Sequence, residues 1–229
     1  MKHIIYFILA ILVCGIYAGC SENEIDLYDQ TPRINFYGSL HIRTLVDTDY
    51  VKKDDPYAID SFTVKIQGDL LKENRDFCVK VSPNSDYQKS VDVLLESKYT
   101  YTELDTVCQV FYYKIKRPAV EAGRKVYGCF LEFDLNNPLH QFDKGLVEQH
   151  QIPLNVRWEL KTDEWGCWSG YKYGSYSDEK YMFIMDVCGC VYEELEEEDY
   201  DKVKQAYKEY REAGNPPLLG EDGDEIVYE

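Results

Sequence analysis

Two-residue alternation of apolar and polar side chains, renewed segment after segment from residue 33 onward, constrains this chain more than any other feature. In "RINFYG" Ile34 and Phe36 share a face, and "LHIRTLV" continues the pattern. "SFTVKIQGD" sets Phe62, Val64 and Ile66 on one side of a strand that ends at Gly68. "DFCVKVS" offers Phe77, Val79 and Val81, with Cys78 on the opposite face, and "SVDVLLE" reads as a further strand. "TVCQVFYYKIKR" (106–117) and "KVYGCFLEFDLN" (125–136) flank the loop "RPAVEAG", where Pro118 stops the first of the pair. In the second, Leu131, Phe133 and Leu135 alternate. Strands with one apolar face must bury it against another layer, and short strands separated by polar turns predict a mostly β fold. The expectation is an immunoglobulin-like β-sandwich over residues 31–142, without the Cys–Trp–Cys pattern of antibody domains.

Residues 143–229 read differently, as a smaller α+β C-terminal domain. "IPLNVRWEL" supplies one alternating strand, with Trp158 expected in the core, and "KTDEWGCWSGYKYGSYS" is an aromatic loop broken by glycines. In "SDEKYMFIMDVCG" Tyr181, Ile184, Met185 and Cys188 fall at i, i+3, i+4 and i+7 behind a capping Ser177, so a helix is predicted over 178–190. A doubly buried strand is the competing reading. A terminal helix is predicted over 199–213, where Tyr200, Val203, Tyr207 and Tyr210 form a stripe and Gly214–Asn215–Pro216 gives a stop. "EIVYE" at the end suits a short strand.

The first residues, "MKHIIYFILAILVCGIYAGCSENE", have a basic start, an apolar run and small residues before a cysteine. The run is too short to cross a bilayer, which takes about 20 apolar residues. It has the layout of a secretory signal over 1–19. Ala18–Gly19 before Cys20 suits cleavage at a cysteine already acylated, and Val13 before Cys14 does not. Cys20 is therefore expected to carry lipid (palmitate among its acyl chains), with residues 20–30 as a tether and the lipid as sole membrane anchor. A plain secreted protein cut near Gly19 is the alternative.

Net charge is -17, from 42 acidic and 25 basic residues. That balance argues against nucleic acid or an anionic bilayer as partner, and no nucleic-acid partner is expected. Six cysteines follow Cys20, namely Cys78, Cys108, Cys129, Cys167, Cys188 and Cys190, and their spacing does not choose among fifteen pairings. "VCGCVYEE" resembles half a thiolate site with Cys167 as a third ligand, but there is no Cys-x-x-Cys knuckle, and no metal is expected. "GEDGDE" lacks the spacing of a calcium loop.

No catalytic signature surrounds His41, His140 or His150, and neither a nucleophile elbow nor a phosphate-binding glycine loop is present. The expectation is a protein that is not an enzyme and needs no cofactor. Trp165, Trp168, Tyr171 and Tyr173 fall together among glycines and are the candidate ligand-binding residues, because aromatic faces stack on the C–H faces of sugars. Such a loop can instead fold its aromatics onto the core.

With "IDLYDQTPRINF", "SFTVKIQGDLLKENRDFCVKV" and "WGCWSGYKYGSYSDEKYMFIMDV" in view, the chain resembles a family of Bacteroidetes outer-membrane lipoproteins of unknown function. The most specific piece is "GSYSDEKYMFI". "LLESKYTYTEL" departs from the family's central stretch. Members are commonly encoded beside starch-utilisation-type transporter and binding-lipoprotein pairs. The resemblance implies a cell-surface lipoprotein accessory to glycan or nutrient uptake (polysaccharide utilisation), including non-catalytic carbohydrate binding. A structural or assembly partner of an outer-membrane transporter complex, without a ligand of its own, is the alternative.

Overall fold

A computed structural model describes residues 32–121, 126–145, 149–160, 165, 173–220 and 223–228. The fold is mostly β, with three helices among these residues. The strands are β1 (Arg33–Phe36), β2 (His41–Leu45), β3 (Tyr57–Gln67), β4 (Arg75–Phe77), β5 (Val79–Ser82), β6 (Val93–Leu94), β7 (Tyr99–Tyr101), β8 (Cys108–Lys116), β9 (Tyr127–Phe133), β10 (Asp143–Lys144) and β11 (Gln151–Trp158). The helices are α1 (Asp47–Val51), α2 (Asp178–Cys188) and α3 (Asp199–Glu212).

One sheet runs β10-β1-β3-β8-β6 and a second runs β2-β11-β9-β5, while β4 and β7 form a separate pair. The alternation explains why the two sheets face each other. Ile34, Phe36, Phe62, Val64, Ile66, Phe111, Tyr113 and Ile115 of the first sheet and Leu131, Phe133, Ile152, Leu154 and Val156 of the second are all buried in one cluster. Phe36 stacks on Phe133 at 4.2 Å between centroids, joining the layers directly.

Three differences from the sequence reading have physical causes. The predicted strand at 76–82 is broken: β4 pairs with β7 and β5 with β9, and between them Cys78 is buried while its N–H donates to His140 Nδ1 at 3.1 Å. Val81 beyond the break is exposed rather than in the core. Leu135 is exposed too, because β9 ends at Phe133. Most consequentially, β10 and β11 belong to the sandwich, so a boundary at 142 cuts through it. Strand β11 lies between β9, to which it is antiparallel, and β2, to which it is parallel with Leu154 opposite His41.

Beyond Leu160 lies a largely helical cap with its own core, in which Tyr181, Ile184, Met185 and Val203 are fully buried. Its extended structure is one isolated bridge between Leu219 and Glu225, so "α+β" overstates it among the described residues. Helices α2 and α3 form as their apolar spacing dictates. The Ser177 hydroxyl accepts from Lys180 N at 3.1 Å to cap α2, and Gly189, at φ +73°, closes it.

Candidate functional site

Trp165 and Tyr173 turn inward. Tyr173 is only 3 % exposed, and Trp165 packs among Tyr173, Tyr176, Tyr181 and Tyr192 while its indole N–H donates to Gly174 O at 3.2 Å. Tyr173 is a core residue of the cap, and Trp165 is half-buried with its ring packed against that core, so the expectation that these two form an exposed platform is corrected. Trp168 and Tyr171 lie outside the described residues, as does Cys20.

The "GSYSDEK" stretch owes its residue types to this packing. Gly174 takes φ +69°, Ser177 is the helix cap, and Lys180, itself buried, donates from Nζ to Tyr173 O at 2.7 Å beside the Tyr228 ring. Burial pushes the Tyr173 and Tyr228 phenols up, beyond the range of biological pH, so both stay neutral.

An open groove of about 660 Å³ lies on the cap between α3 and residues 225–228. Tyr207, Ile226 and Tyr228 make its floor, and Asp201, Lys204, Gln205, Lys208 and Glu225 line it with polar groups of both signs. The floor is fixed by hydrogen bonds: Tyr207 OH donates to Glu225 Oε1 at 2.9 Å, and Tyr228 OH donates to Lys180 O at 3.3 Å. Val227 stands 59 % exposed between its buried neighbours. The alternation in "EIVYE" was the signal for this wall, but a three-residue run does not reveal that it packs beside a helix.

A second, smaller cavity of about 170 Å³ lies where the cap meets the sandwich, among Asp49, Tyr50, Lys53, Arg117 and Trp158. Its groups are largely engaged with one another. Arg43 and Arg117 flank Asp49 at 3.4 and 3.5 Å, Tyr50 OH donates to Asp186 Oδ1 at 3.0 Å, and Trp158 Nε1 donates to Pro118 O at 2.9 Å. Trp158 thus joins the two cores rather than sitting in one.

His41 and His140 are similarly bound into the frame. His41 Nε2 lies 2.8 Å from Asp60 Oδ2, which also accepts from Tyr113 OH at 3.1 Å, so one carboxylate ties β2 of the second sheet to β3 and β8 of the first. Cys78, Cys108, Cys129, Cys188 and Cys190 are free thiols, and burial pushes Cys129 and Cys188 up to about 12. Among the described residues no cluster of three metal-binding side chains occurs, and no helix is long and apolar enough to cross a membrane.

No family model matches the chain, and no curated protein matches it. Among solved structures it is similar to the apo-form Calx CBD1 domain, at 8% identity and a TM-score of 0.36, over 56% of this chain and 98% of that one.

Proposed function

We propose that this chain is a lipid-anchored, non-catalytic accessory of glycan or nutrient uptake at the outer membrane, facing the cell surface and holding a neutral saccharide in the α3 groove. The observation that carries the reading is the groove's make-up. An apolar floor suits the C–H face of a sugar ring, and a rim of Asp201, Lys204, Gln205 and Lys208 offers hydrogen bonds of both kinds without a dominant charge. Its volume falls within the usual range for small-ligand sites.

The scaffold in this reading is an immunoglobulin-like sandwich. The orders β1-β3-β8-β6 and β2-β11-β9-β5 follow the arrangement in which the first, second, fifth and fourth strands of such a domain share one sheet and the third, sixth and seventh the other. Here β2, β10 and the β4–β7 pair are additions. Anchoring rests on Ala18–Gly19–Cys20 and on the acidic "SENE" after it, which resembles an export tag of surface lipoproteins.

Calorimetry against a panel of neutral oligosaccharides tests the site, using wild type and a Val227→Asp variant that places a charge in the groove without disturbing the core. Binding near ~1 mM, about 4 kcal/mol, is expected for wild type and none for the variant. Equal binding by both would move the site elsewhere, and no binding by either would overturn the glycan reading. Acyl labelling of a Cys20→Ala variant tests the anchor: labelling should disappear, and persistence would refute it. Protease shaving of intact cells tests exposure.

A further inference from the structure

We propose that the outward face of the β1–β3–β8–β6 sheet docks a protein partner with an acidic surface, a contact separate from the groove on the cap. Four large apolar side chains stand out from this face: Ile59 (64 % exposed), Leu94 (54 %), Val110 (47 %) and Tyr112 (65 %). The register makes them one patch. Ile59 of β3 and Leu94 of β6 both lie opposite Lys114 of β8, and Tyr112, two residues along, is diagonal to each. Val110 continues the row opposite Thr63. Neighbours at these spacings touch across a pleated sheet. An apolar centre carrying an exposed tyrosine is the usual composition of an interface core.

The charges on this face point to the partner. The outward residues of β3 include Ile59, Ser61, Thr63 and Lys65, and those of β8 include Val110, Tyr112, Lys114 and Lys116; neither strand presents a carboxylate there. Lys65 and Lys114 are exposed and have no ion-pair partner among the described residues, while Lys116 has Asp92 at 3.8 Å. In a chain of net charge -17, the two central strands of this face thus carry lysines and no carboxylate, with Asp92 at the β6 edge beside Lys116. Exposed charges are screened within roughly 8–10 Å, so a bounded partner feels the local lysines. An anionic bilayer extends beyond the face and meets the whole acidic molecule. A second copy stacked face to face would oppose lysine with lysine. An acidic protein surface is the occupant that remains.

The test places a photo-crosslinking amino acid at Tyr112 in the anchored protein on intact cells, with Val81 on the opposite sheet as the control position. A protein adduct is expected from position 112 and not from 81, with an identified partner that is acidic at the crosslinked surface. Adduct yield should fall about tenfold when Lys65→Glu and Lys114→Glu are combined, since like charges then oppose. Both lysines are exposed, so circular dichroism of the purified variant should be unchanged. An adduct with lipid, an adduct with a second copy, no adduct, or an adduct indifferent to charge reversal would each overturn the proposal.

Discussion

The Tyr181 hydroxyl, carried on α2 in the core of the cap, donates to Asp47 Oδ2 on α1 at 2.7 Å and accepts from Tyr192 N at 2.9 Å. One oxygen thus binds the sandwich side of the molecule and the chain beyond α2. A Tyr181→Phe variant keeps the ring but strands the Tyr192 N–H and removes a donor from Asp47. A loss of about 1–3 kcal/mol is expected, read from urea midpoints. No loss would mean that water replaces both bonds.

Acid should weaken the fold in two stages. Burial holds His140 below its ordinary 6.5, and its Nδ1 is already committed as acceptor to Cys78 N. The unfolded chain therefore takes up the proton first, and stability falls as pH drops below about 6.5 toward the lower folded value. For Asp60, burial alone would raise the carboxyl, but the hydrogen bond and charge of His41 outweigh it and hold it below its ordinary 3.8. Its contribution is intact above that pH and is lost as pH falls through the folded value. Urea midpoints measured from pH 8 to 3 should decline in both windows. His140→Gln should flatten the upper limb and leave the lower one; a flat wild-type profile between pH 7 and 5 would contradict the assignment.

Thiol chemistry should separate the cysteines by environment. With its thiol pushed up to about 12 by burial and only 1 % exposed, Cys129 has neither thiolate nor access. Iodoacetamide at pH 8 is expected to leave it unmodified in the native protein and to label it once urea unfolds the chain. Peptide mapping reads this directly, and rapid native labelling of Cys129 would show that β9 opens.

Gly128 should not tolerate a methyl group. A Cβ there would lie 2.2 Å from a carbon of the Tyr87 ring, which covers the strand at that point. Gly128→Ala is expected to cost about 1–3 kcal/mol as the ring is displaced. Gly38, where nothing lies within 4 Å but φ is +105°, separates the two causes, since substitution there strains only the backbone. Thermal unfolding of both variants would show which matters.

The strands and helices of this molecule were legible because their periods are local. Phe62, Val64 and Ile66 must share a face in any extended segment, and Tyr181, Ile184 and Met185 in any helix. Pairing is not local. Nothing in "IPLNVRWEL" indicates that β11 would lie parallel to β2, with Trp158 opposite Leu45, and so complete the sandwich. The aromatic loop failed for a related reason: composition shows that Trp165 and Tyr173 want a neighbour, but not whether it is a ligand or Tyr181. The groove was missed because its two walls, α3 and residues 225–228, meet only in three dimensions.

The parallel pairing of β2 with β11 has a mechanical consequence. If the chain is held at its amino end and loaded at the cap, tension meets β1 first and, once that short strand yields, enters β2 from its first residue, His41, and leaves β11 at its last, Trp158. Parallel strands pulled at opposite ends slide along their length, so the ladder bonds share the load instead of parting one at a time. A tethered protein exposed to flow would be gripped in shear across this seam, the geometry in which a short ladder holds best.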